Sequence, residues 1–167
     1  IRMFFTGKNS PIRLGWLRWK KFARSITGGK TMFNQDFKEF LASLNARQVR
    51  YLIVGGYAVA LHGYPRYTKD LDVWIEASSL NASRLIAALK DFGFGTLGPE
   101  EKDFTEEDQV VQLGYPPNRI DLITSASGIN FSECFENRVS VLIEDVEVNF
   151  LDVENLKKNK RASGRLQ

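Results

Sequence analysis

From Met32 onward the apolar positions follow two alternating periods. Phe37, Phe40, Leu41 and Leu44 recur at helical spacing behind Asn34, which predicts a capped helix over 34–46. The unbroken apolar run Tyr51-Leu52-Ile53-Val54 predicts a buried strand over 50–54. Gly55 and Gly56 cut that run off and open a short helix that ends near His62, where Gly63 and Pro65 break it. A second apolar run, Leu71 to Ile75, predicts a strand over 69–76. Leu80, Leu85, Ile86 and Leu89 share one side of a predicted helix over 80–92, with Asn81 near its start. Gly93, Gly95, Gly98 and Pro99 mark a loop, and the acidic stretch 100–108 reads as exposed. Val110–Leu113 and Arg119–Ile123 flank Gly114-Tyr115-Pro116-Pro117 as a hairpin would. A short helix over 131–136 follows, then strands over 138–143 and 146–151 that turn at Glu144-Asp145. A basic helix begins near Val153 and carries Lys157, Lys158, Lys160 and Arg161. Crossovers mixed with hairpins predict an α/β (α+β) domain, a small mixed sheet flanked by helices.

The candidate chemistry lies between Val54 and Asp72. Asp70 and Asp72 stand two apart in the second predicted strand. Residues at i and i+2 of a strand share a face, about 7 Å apart along it. Two such carboxylates repel, and Asp is depleted in strands, so the pair calls for a cation. Mg²⁺ (or Mn²⁺) suits it, being held by one or two carboxylates together with substrate phosphates. The alternative is the polar face of an edge strand, where Lys69 and Glu76 also fit. Gly55 and Gly56 form either a plain turn or a turn that lets backbone N–H groups approach a phosphate. Thr68 shares the face of Asp70, and either meets a phosphate or bonds to a neighbouring strand. Arg66 is a counter-charge to the carboxylates or a phosphate contact, for which its planar fork is suited. His62, the single histidine, reads as structural, and Cys134 as buried and inert.

The Gly-Gly turn followed by Asp-apolar-Asp-apolar resembles the signature of the DNA polymerase beta-like nucleotidyltransferase superfamily. With Tyr57, Ala58, His62-Gly63, Pro65-Arg66 and Thr68, the longer string is similar to its small bacterial members, the AbiEii-type toxins and the antibiotic nucleotidyltransferases. The resemblance covers roughly 32–167. It implies a third carboxylate on a later strand, and Asp121 in Asn118-Arg119-Ile120-Asp121-Leu122-Ile123 matches it. Asp70, Asp72 and Asp121 would then be both the catalytic residues and the metal ligands. Gly55, Gly56, Arg66, Thr68 and Lys160 would contact the nucleotide, with Arg66 and Lys160 offsetting charge in the transition state. The implied reaction moves a nucleoside monophosphate from an NTP to a hydroxyl. The acceptor is open between a small molecule, a tRNA end and a protein. A non-catalytic nucleotide- or partner-binding module and a toxin paired with an antitoxin are the rival readings. In related small proteins a stretch like Lys160 to Arg165 is usually followed by more helix, and here only Leu166 and Gln167 follow, so the domain is expected either to be truncated at this point or to continue beyond this sequence.

Composition alters this picture at one place. Of the 23 Lys and Arg residues, eight lie in residues 1–31, which hold no acidic residue. The remaining 15 face 20 acidic residues, so the net charge of +3 conceals a body at −5. The acidic body argues against extended RNA binding, whose contacts are cationic. The basic leader, with Leu14, Trp16, Leu17, Trp19, Phe22 and Ile26, admits three readings: a surface- or nucleic-acid-binding helix, a helix packed on the domain, or a segment ahead of a natural start at Met32. A single cysteine excludes an intrachain disulfide and fits a reducing cytoplasm. Zinc-type Cys/His spacing is missing, as is any apolar run of about 18 residues that would span a membrane.

Overall fold

Asn34 accepts a hydrogen bond from the Phe37 N–H (2.8 Å) and opens helix α1, Gln35–Ala46, as its sequence position predicts. The computed structural model describes residues 33–64, 68–94, 98–115 and 118–164. The leader, Arg66 and the segment after Gly164 lie outside them. After α1 come β1 (Tyr51–Ile53), α2 (Gly55–Leu61), β2 (Leu71–Ile75) and α3 (Ser79–Phe92). A 3₁₀ turn (Glu101–Phe104), β3 (Val110–Leu113), β4 (Ile120–Ile123), α4 (Phe131–Glu136), β5 (Val139–Ile143), β6 (Val146–Phe150) and α5 (Val153–Ala162) complete the order.

The strands form one six-stranded mixed sheet in the order β3-β4-β2-β1-β6-β5. β2 runs antiparallel to β1 and parallel to β4, while β1 runs parallel to β6. The two outer hairpins, β3–β4 and β5–β6, are antiparallel. This is the mixed α/β architecture that the alternation of periods predicts.

The two faces of the sheet are covered differently. Tyr51 pairs with Ile75 and Ile53 with Val73, so all four point to one face. The Tyr51 hydroxyl reaches Asn45 of α1 (3.1 Å), which places α1 on that side. There α1 packs on α3, with Phe40 edge-on to Phe92 and the Ser43 hydroxyl donating to the Ala88 carbonyl. On the opposite face Trp74 meets Phe131 of α4 edge-on at 5.1 Å. That second face carries Asp72 as well, two residues before Trp74.

Several local predictions shift. Helix α3 is capped by Ser78, and Asn81, near its start as expected, is also a buried tie (1% exposed). Its side chain accepts from the Arg50 N–H and donates to the Arg50 and Glu76 carbonyls, fastening α3 to the ends of β1 and β2. The acidic stretch 100–108 is mostly exposed, but Phe104 within it is fully buried. One aromatic among acidic residues is enough to fold the segment back as a 3₁₀ turn against the core.

Candidate active site

The parallel pairing of β2 with β4 sets Asp72 directly opposite Asp121. Directly opposed residues share a face, so the third carboxylate stands beside the first two. Asp70 lies one residue ahead of β2, and its partner strand is still in register there, because the Leu71 N–H donates to the Arg119 carbonyl. The sheet thus brings together the three carboxylates that the sequence nominates.

Asp72 is held in a tight seat. Its Oδ2 lies so close to Gly55 that a Cβ there would come within 2.1 Å of it. Gly55 has φ +61°, which L side chains rarely adopt, so glycine is required twice over. The Gly56 backbone N–H favours the ionised form of the Asp72 carboxyl. A Cβ on Gly56 would meet Thr68 at 2.6 Å, and the Thr68 hydroxyl donates to the Asp70 carbonyl (3.1 Å). The double glycine therefore serves close approach of Asp72 and Thr68. Burial pushes the Asp72 carboxyl up to about 6, reinforced by the charges of Asp121 and Asp70 and offset by Arg119 and the Gly56 N–H.

Arg119 is the group that sequence reasoning missed. Its Nε and Nη2 donate to the two oxygens of Asp121 (2.8 and 2.9 Å), and Nη2 also reaches Asp70 Oδ2 (3.1 Å). The signal is present as Arg-x-Asp, because Arg119, one residue ahead of β4, stands two before Asp121 in extended chain, where i and i+2 share a side. One guanidinium thus stands among three carboxylates. The other Asp70 oxygen, Oδ1, is buried with no hydrogen-bond partner among the described residues.

The remaining nominated residues are placed as follows. Arg66 lies outside the described residues. Lys160 sits in the last turn of α5, against which the 127–133 segment packs through Asn159–Ser127 and Lys158–Glu133 contacts. No described hydrogen bond or ion pair joins Lys160 to the carboxylates. His62 Nε2 lies 2.8 Å from the Leu151 carbonyl, the structural role expected of it. Cys134 is fully buried. Along the carboxylate-bearing face the strand alternation continues from Asp72 to Trp74 and Glu76. There a cavity of about 400 Å³ opens, with Glu107, Asp108, Thr124 and Ser125 among its other walls.

The donors fit a hard dication chemically: three carboxylates stand at the same end of β2 and β4, and the Asp70 Oδ1 is buried and unpartnered among the described residues. They are not gathered as a closed ligand shell. Among the described residues no three His, Cys, Asp or Glu side chains lie close enough together to hold a metal. Arg119 occupies the ground between Asp70 and Asp121.

The mixed sheet thus sets Asp72 and Asp121 on adjacent parallel strands beside a Gly-Gly turn. The fold matches the crystal structure of TM1012 from Thermotoga maritima, a protein provisionally described as a nucleotidyltransferase, with a TM-score of 0.56. The match covers 77% of this chain and 83% of that one at 14% identity, so it is a likeness of fold. No family model matches the sequence, and no curated protein does. Among the described residues no helix is long and apolar enough to cross a membrane.

Proposed function

We propose that this protein is a Mg²⁺-dependent (or Mn²⁺-dependent) nucleotidyltransferase that moves a nucleoside monophosphate from an NTP to a hydroxyl acceptor. The observation that carries the reading is the register pair Asp72–Asp121, with Asp70 tied to Asp121 through the Arg119 guanidinium. Asp70, Asp72 and Asp121 would hold the cation, which when bound neutralises phosphate charge and acidifies the acceptor hydroxyl. The Gly55-Gly56 turn keeps Asp72 and Thr68 close to one another and to the backbone where phosphates would lie. Thr68, Arg66 and the Gly55-Gly56 backbone are the phosphate contacts in this reading. The acceptor oxygen attacks the α-phosphorus, its proton passes to a carboxylate (Asp121 in the sequence-based assignment), and pyrophosphate leaves. Lys160 is retained as a candidate for the negative charge that develops.

For the acceptor, a specific observation favours a small polar molecule over a tRNA end or a protein. The cavity next to Trp74 is lined by Glu76 (paired with Arg50), Glu107 and Asp108 together with several hydroxyls, apart from Asp70, Asp72 and Asp121. Such walls suit a cationic, hydroxyl-bearing molecule and repel a phosphate backbone.

The test is a transfer assay with labelled NTPs against pooled small-molecule, tRNA and protein acceptors, with and without Mg²⁺. Transfer is expected with Mg²⁺, and a loss of at least about 100-fold is expected in folded Asp70→Asn and Asp72→Asn. Undiminished transfer in either variant sinks the assignment. Cation and nucleotide binding without turnover points to a non-catalytic member of the fold. Growth inhibition relieved by a neighbouring gene product points to a toxin with its antitoxin.

A further inference from the structure

We propose that Arg119 is a built-in cation that stands in the metal's place, and that a divalent ion binds by displacing its guanidinium from Asp70 and Asp121. The inference rests on the metal-binding reading above. It explains why three carboxylates at the same end of β2 and β4 are not already a ligand shell.

Three observations carry it. First, the fork of Arg119 uses both oxygens of Asp121 and one of Asp70, so those oxygens are committed while it stays. Second, the bond it makes to Asp121 is a two-point, charge-assisted one, the geometry in which Arg binds carboxylates most firmly. A dication must compete with that bond for the same lone pairs. Third, the exchange needs only a side-chain motion. The Arg119 carbonyl is anchored by the Leu71 N–H, and Ile120 next to it pairs with Leu71 and Leu113, so the backbone stays in place. The Arg119 side chain is 27% exposed, which leaves it a way out into solvent.

The arrangement also makes electrostatic sense. Three carboxylates without a counter-charge would strain the apo fold, and one guanidinium leaves them at a net −2. The remaining charge still attracts a dication. When the ion enters, the freed guanidinium becomes available to an anion such as a substrate phosphate, for which its planar fork is equally suited. Arg119 is thus a positioning residue in the apo protein whose partner changes on loading.

The experiment measures Mn²⁺ binding to the full chain by the loss of the free-ion EPR signal, without substrate or turnover. The expected result is at least about tenfold tighter Mn²⁺ binding in Arg119→Ala than in the parent. Arg119→Lys, which keeps the charge but cannot make the two-point bond, should fall between them. Lys69→Gln removes an equal charge beside Asp70 and controls for the general field; it should shift affinity less than Arg119→Ala. Added methylguanidinium should compete with Mn²⁺ in Arg119→Ala and restore the weaker parental affinity. A merely structural arginine would not produce that competition. Should Arg119→Ala fail to fold, the Arg119→Lys comparison and its circular dichroism melt decide the matter. Mn²⁺ binding that is unchanged or weaker in the folded Arg119 variants, yet lost in Asp72→Asn, overturns the inference and leaves the metal reading standing. No saturable binding to any of these proteins, or binding indifferent to Asp72→Asn, overturns both.

Discussion

Asn81 shows how one residue can matter without touching the site. Its buried amide makes three hydrogen bonds, to the Arg50 N–H and to the Arg50 and Glu76 carbonyls. Those backbone groups lie at the end of β1 and just past β2, the strand that carries Asp72. Asn81→Ala leaves the Arg50 N–H without its partner, at a cost of about 1–3 kcal/mol, while the Arg50 and Glu76 carbonyls keep the Glu76 and Ser78 N–H groups. We expect roughly 1–3 kcal/mol of lost stability, read from the midpoint of urea denaturation at unchanged slope. Arg119 and Gly55 act on the same scale but on the carboxylates directly. The sequence marks Gly55 as special and passes over Arg119. A glycine at the end of an apolar run is a visible interruption, whereas an arginine before an aspartate is an ordinary strand pattern until the neighbouring strand supplies Asp70.

At the scale of elements, the register of β2 on β4 gathers the site, and the contact of α5 with the 124–130 loop closes the far end. Gly128 has φ +74°, and a Cβ there would lie 2.5 Å from the Ala162 Cβ. Gly128→Ala must strain the loop and push the end of α5 away. The left-handed conformation alone costs about 1–2 kcal/mol in a non-glycine residue. The expected outcome is faster amide exchange across Val153–Ala162, with α1 and β1 unaffected. Equal protection in α5 would show that the helix end tolerates the displacement. Most elements were legible from their periods: both hairpins, the helix behind Asn34, and the strand entering the Gly-Gly turn. The 3₁₀ turn and the buried Phe104 were not, because a single apolar residue has no period.

For the whole molecule, the raised proton affinity of Asp72 predicts how stability follows pH. The folded state holds that proton up to about 6, against an ordinary value of 3.8. Between those two values the folded protein binds more protons than the unfolded chain, so stability falls as pH rises through the window. The bound on the effect is about 3 kcal/mol at 1.36 kcal/mol per unit, lessened by the partial exposure of the group. The metal-free protein should therefore melt higher at pH 5 than at pH 7. Asp72→Asn should flatten that difference and raise the pH 7 melting temperature, at about 2–4 °C per kcal/mol for a domain of this size. Mg²⁺ should reverse the trend at pH 7 by favouring the ionised carboxylates. A parent and an Asp72→Asn variant with identical pH profiles would remove Asp72 as the origin.

By itself the sequence determined the alternation of helices and strands, the mixed α/β class, the Gly-Gly turn and the nearness of Asp70 and Asp72 at the start of the second strand. Each of these depends on residues near one another in the chain, where period, glycine and spacing speak directly. Tertiary structure alone decided that Asp121 stands opposite Asp72, that Gly55 is needed for the approach of Asp72, and that Arg119 bridges two of the three carboxylates. It also decided that Lys160 makes no described contact with them. Those facts depend on which strand lies beside which and in what register. A long-range pairing is selected by the packing of the whole core, and a local pattern carries no record of it.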